Sequence, residues 1–200
     1  MGMIERTSSR IAEATSAKHV LFELQVEQHL HDEAYHREIA RLSLHQRLNH
    51  MALHFAKYAG RIAAASSVEE TLPVYIDVLI IGISTANILN EEVWSLLGHG
   101  QEFPGLLPFA RTLSHDVRGA MENRDVLLRE TAIATGQIAA ACEKIDHLEE
   151  ISYRANIKVG LAKLLTLSLA VISKQGIDPA TAARERLEIV KRRLKLHGRI

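Results

Sequence analysis

Five nitrogen-bearing side chains recur along the stretch RLNHMALHFAKYAGR: Arg47, His50, His54, Lys57 and Arg61. Their spacings of 3, 4, 3 and 4 put them on one face of a helix. Arginine, lysine and histidine in such a row suit an anion, above all a phosphate. The same row also suits a solvated face paired with Glu69, Glu70 or Asp77. A third reading is metal binding, because His50 and His54 lie one helical turn apart and Asp77 can supply a third ligand. No Glu stands between these histidines as in His-Glu-x-x-His, and cations flank them.

Other clusters carry weaker chemistry. His29, His31, Asp32, Glu33 and His36 gather near one point of the chain, with His29, Asp32 and His36 on one helical face. They suit a structural role or a pH-sensitive contact. His115-Asp116 resembles the pair of HD-type phosphohydrolases, but SHDVRG lacks the apolar setting of that motif and reads as the start of a polar helix, with Ser114 and Asp116 as caps. The acid pairs Glu91-Glu92 and Glu149-Glu150 suit helix starts, where they offset the dipole.

These residues must be held by helices. Prolines occur only at 73, 104, 108 and 179, and no alternating strand pattern is present. Helices are expected over roughly 11–31, 34–65, 68–88, 110–144, 148–174 and 179–196. Ser67 and Glu70 form a capping-box signature, Asn90 is the expected N-cap of EEVWSLL, Gly176 is a stop, and Asp178-Pro179 opens the last helix. The expected fold is all-α. GRIAAA at 60–65 echoes GQIAAA at 136–141. That echo implies two similar four-helix units in tandem, 1–98 and 109–200, joined by a linker at 99–108. One bundle extended by further helices is the alternative.

Composition bounds the function. The 24 Lys and Arg residues balance 24 Asp and Glu residues, so the whole molecule is no electrostatic match for nucleic acid. The exception is the basic segment from Arg184 to Ile200. The single cysteine, Cys142, excludes an intrachain disulfide and suits a reducing cytoplasm. MGMIERTSSR reads as lacking an apolar signal core. The apolar runs Val74–Ile83 and Leu161–Ile172 are too short to span a bilayer, so a soluble cytoplasmic protein is expected.

The order of these elements resembles the MazG-like all-α nucleoside triphosphate pyrophosphohydrolases. LNHMALHFAKYAGRIAAA is similar to the family's first acidic helix, YIDVLIIGISTANIL to its Glu-x-x-Asp helix, and GIDPATAARERLEIVKRR to its closing segment. The family holds magnesium with a carboxylate cluster. Here the first-motif positions are Lys57, Tyr58 and Arg61, and of the second-motif positions, Val74 and Asp77, only Asp77 is acidic. The second half carries Ile133, Ala134 and Gln137, then Gly160 and Lys163. The resemblance implies a homodimeric helical bundle with a degenerate acid cluster, binding a nucleotide or other phosphorylated ligand at Arg47, His50, His54, Lys57 and Arg61. Two alternatives stand beside it. One is an active divergent pyrophosphohydrolase holding magnesium with Asp77, Glu69 and Glu70. The other is a non-enzymatic interaction module whose basic tail meets nucleic acid.

Overall fold

A computed structural model of the protein describes residues 15–98, 100–147, 150 and 152–193. Every regular element among them is helical. In chain order they are α1 (Ala17–Tyr35), α2 (Arg37–Ala40), α3 (Leu44–Ala64), a 3-10 turn (Glu69–Thr71), α4 (Leu72–Ile88), α5 (Val93–Leu97), α6 (Leu106–Asp116), α7 (Arg118–Glu122), α8 (Arg124–Asp146), α9 (Tyr153–Lys174) and α10 (Pro179–Arg193). The all-α expectation is met.

Local chemistry explains where the helices stop. The continuous helix expected over 34–65 is broken at His36 and again before Leu44. The second break is made by Ser43: its Oγ accepts from Gln46 N while Gln46 Oε1 accepts from Ser43 N, a reciprocal capping box. The helix expected over 110–144 is three helices, because Asn123 accepts from the backbone N–H groups of Asp125 and Val126 and starts α8 afresh. Val117, with φ −119° and ψ 19°, ends α6, so His115 and Asp116 close a helix and do not begin one. Asn90 has φ 53° and follows the end of α4, with Glu91 N donating to Ala86 O at 2.9 Å. It is thus a left-handed C-terminal cap of α4 and not the N-cap of α5, which Glu92 occupies. Ser67 Oγ accepts from Glu70 N, as its signature implies, but the Glu70 carboxylate reaches Ser66 N, and the result is the 3-10 turn before α4. Gly176 (φ 73°) follows α9, and Asp178 Oδ1 accepts from Thr181 N at the start of α10.

One contiguous apolar core holds the helices together. The α3–α4 hairpin packs on the α8–α9 hairpin, with α3 against α8 and α4 against α9, while α1, α6 and α10 surround this center. Helices from both sides of the 99–108 segment therefore share the same core. α1 is fastened by Gln25, whose amide donates to Asn87 Oδ1 and Glu91 O and accepts from Val93 N, all at 2.9 Å. Arg184 of α10 grips Glu27 of α1 through Nε and Nη2.

Segments 69–88 and 153–174 are longer than the apolar runs they contain. At 20 and 22 residues, each with an 18-residue stretch of mean hydropathy 1.5 and 1.6 respectively, they are long and apolar enough to cross a membrane by length and composition. Most of each is buried in the center of the bundle. That position explains their continuous hydrophobicity without a bilayer.

Helix α9 approaches α8 closely at Gly160. A Cβ there would stand 2.6 Å from Ala134 O and 2.9 Å from Ile138 Cγ1. Gly136, on an exposed turn of α8, would place a Cβ in open space. Urea unfolding should therefore show Gly160→Ala destabilized by about 1–3 kcal/mol through overpacking. Gly136→Ala should be stabilized by about 0.5–1 kcal/mol through helix propensity.

Candidate functional site

The apolar side of α3 is fixed by burial of Leu48, Met51, Phe55, Tyr58 and Ile62. That burial turns the basic row toward a groove between α1, α4 and α10. The groove deepens into a cavity of about 440 Å³. All five residues of the row line it, together with Asp77 of α4 and Arg186 of α10. Ile80, Ile81, Ile88, Leu187 and Val190 supply its apolar wall. The α1 side brings Gln28, His31, Asp32 and His36.

Asp77 is 4% exposed, so its charge must be compensated in place. Arg61 Nη1 donates to its Oδ2 at 2.8 Å, and Arg186 Nε donates to its Oδ1 at 2.5 Å. Both carboxylate oxygens therefore face guanidinium groups. The Arg61 partner was legible as a nearby basic residue. Arg186 was not, because it lies 109 residues away and only the packing of α10 brings it here.

Arg47 and Lys57 differ from Arg61 and Arg186. No carboxylate pairs with either among the described residues, and Arg47 Nε is buried with no hydrogen-bond partner. The Lys57 ammonium donates to His54 Nδ1 at 3.1 Å and lies over the Tyr58 ring. Lys57 is exposed overall, and partial desolvation of its ammonium is the main cause holding its pKa below the usual value; Asp77 opposes the shift and Arg61 and Arg186 add to it. Burial pushes the Tyr58 phenol up.

His50 and His54 join through their Nε2 atoms at 3.1 Å. Lys57 has no acceptor, so His54 Nδ1 accepts from it, His54 Nε2–H donates, and His50 Nε2 accepts. Burial, then Lys57, then His50 lower His54 to about 4; burial followed by Lys57 lowers His50 as well. Burial thus favors the neutral form of both imidazoles, which read as hydrogen-bonding groups, while the cations of the row are Arg47, Lys57 and Arg61.

The other sequence candidates lie apart. Glu69 and Glu70 are exposed in the 3-10 turn and do not line the cavity, so the structure does not bring them to Asp77. Glu91 pairs with Lys158 at 3.0 Å, and Glu92 lies beside Ser95. His115 Nδ1 meets Arg118 at 2.8 Å. Lys163 pairs with Glu130 at 3.0 Å, and Cys142 is a buried core residue. Glu149, Lys195 and Arg199 lie outside the described residues.

No protein-family model, curated protein or solved structure matches the chain. The site therefore stands on its own geometry. Within that geometry the cavity lining opposes Arg47, Lys57, Arg61 and Arg186 to Asp32, Glu33 and Asp77. Among these seven side chains four positive charges stand against three negative ones, and Arg47 and Lys57 supply the two positive charges that lie apart from Asp77.

Two outcomes are expected. Asp77→Asn leaves Arg61 and Arg186 facing a neutral amide. It should lower unfolding stability toward the lower end of about 3–5 kcal/mol, because both arginines keep some contact with water. The His54 shift sets a pH dependence. Its folded pKa of about 4 lies below the unfolded 6.5, so between these values the unfolded chain binds more protons. Stability measured by urea titration should fall as pH drops from about 6.5 toward 4, and His54→Gln should flatten that slope.

Proposed function

We propose that this cavity binds a small phosphorylated ligand of nucleotide size, in a MazG-like bundle that has exchanged its magnesium acids for fixed positive charge. The observation that carries this reading is the state of the two cations that no carboxylate satisfies. Arg47 holds a buried Nε donor without a partner, and Lys57 stands exposed on the same cavity. A buried donor left unmet costs on the order of 1–3 kcal/mol, and an anionic oxygen removes that cost. The volume falls within the range of small-molecule sites, and the isoleucine-rich wall suits an apolar or aromatic portion such as a nucleobase.

Magnesium chemistry of the family type needs several free oxygen ligands. Asp77, the acid that matches the family pattern, faces guanidinium groups at both oxygens. Direct contact of Arg47 and Lys57 with phosphate oxygens replaces the metal in this reading, and supports binding over hydrolysis.

Thermal-shift measurement with inorganic pyrophosphate and nucleoside mono-, di- and triphosphates, in EDTA, tests it. At a hundredfold excess over Kd, a bound ligand should raise Tm by about 5–10 °C. Arg47→Ala and Lys57→Ala should each remove most of the rise. No rise with any of these ligands on the unaltered protein would sink the proposal. Magnesium-dependent release of pyrophosphate would favor the divergent hydrolase instead.

A further inference from the structure

The α1 wall of the cavity holds a second arrangement that anion binding does not use. His31, Asp32 and His36 each present a ligand atom, and these atoms lie within 4.8 Å of one another. We propose that they form a site for a divalent transition-metal ion of the zinc or ferrous class, open toward the cavity.

Burial gives the first argument. His31 is 9% exposed, and both of its ring nitrogens are buried without a hydrogen-bond partner among the described residues. A neutral imidazole has one donor and one acceptor, so leaving both unmet in the interior is costly. Its Nδ1 lies 3.9 Å from Asp32 Oδ1, too far for a hydrogen bond but close to the separation of two ligands on one ion. Gln28 Oε1, on the turn before, is also buried and unpartnered.

The surroundings of Asp32 give the second. Gln28 Nε2 donates to its Oδ1 at 2.8 Å, and Ser84 Oγ donates to its Oδ2 at 2.7 Å. These bonds orient the carboxylate as outer partners orient a metal ligand. Among the described residues no Arg or Lys pairs with this carboxylate, in contrast to Asp77.

Backbone geometry gives the third. On one continuous helix His31 and His36 would diverge, since they are five residues apart. α1 ends at His36, whose φ of −131° and ψ of 40° leave the helical region. The turn sets its ring 5.5 Å from that of His31. Ligand bonds of about 2 Å require donor separations of roughly 3–3.5 Å. Side-chain rotation must therefore draw the group together by about 1 Å or more, and His36, outside the helix, has the freedom to move.

Two imidazoles and one carboxylate select borderline transition metals over magnesium or calcium, which prefer all-oxygen sets. Three protein ligands leave at least one coordination position facing the cavity. This assignment is independent of the phosphate reading, because the metal alone is the probe.

The test uses the full chain, dialyzed against EDTA and titrated with Co²⁺ while visible d–d absorption is followed, then with Zn²⁺ as competitor. One equivalent of Co²⁺ should develop the absorption, and Zn²⁺ should erase it. His36→Ala and Asp32→Asn should each weaken binding by roughly a hundredfold or more, and Ser84→Ala by roughly tenfold. His50→Ala should leave it unchanged. Circular dichroism checks that each variant folds; His36 is only half-buried, so its variant decides the matter if a His31 variant does not fold. Absence of saturable absorption would overturn the proposal. So would unchanged binding in His36→Ala, or loss in His50→Ala alone, which would move the ion to the His50–His54 pair.

Discussion

A carboxylate buried to 4% exposure cannot hold its charge alone, and Asp77 organizes its neighborhood for that reason. It sits in the middle of α4, among Val74, Val78 and Ile80, where the helix is otherwise apolar. Arg61 reaches it from α3 and Arg186 from α10. Three helices, one of them from the end of the described chain, are thereby held in one relation. Without Arg186 the carboxylate would lack half of its compensation, and without α10 in place the cavity would lose Leu187 and Val190 from its wall. The electrostatic demand of a single residue thus helps to shape a ligand-sized space.

The cavity divides its charges by helix. The α3 wall is cationic, the α1 wall is acidic and histidine-rich, and Asp77 between them is already neutralized. Burial and Lys57 lower the pKa of His50 and His54, so these two side chains add little charge to the α3 wall between Arg47 and Lys57. Such an arrangement has a direction. An anion prefers one wall and a metal cation the other, and a ligand with a phosphate can meet both.

Much of α3 was legible because 3/4 spacing survives along an unbroken helix, and both its faces behave as the spacing implies. The breaks were less legible. Ser43-x-x-Gln46 and Asn123 are capping signals, but each lies inside a long stretch of good helix formers that masks it. Asn90 shows a different ambiguity: asparagine suits an N-cap and a left-handed C-terminal residue alike, and the Ala86 carbonyl decided between them. On α1, a continuous helix grouped His29 with Asp32 and His36. The break at His36 places the buried His31 in that company, leaving His29 exposed. The partnership of Asp77 with Arg186 depends on tertiary packing and has no local signal.

The short helix α2 borders the same cavity through Ile39 and Ala40, yet none of its residues is buried in the core. It hangs between the turn at His36 and the fresh start at Ser43. Deforming it breaks few packed contacts, so the bundle can keep its stability while one side of the cavity yields. The cavity wall is in this way unevenly held: α3, α4 and α10 fix where charge stands, and the four-residue α2, packed on the core through Ile39, is the side with the least buried support.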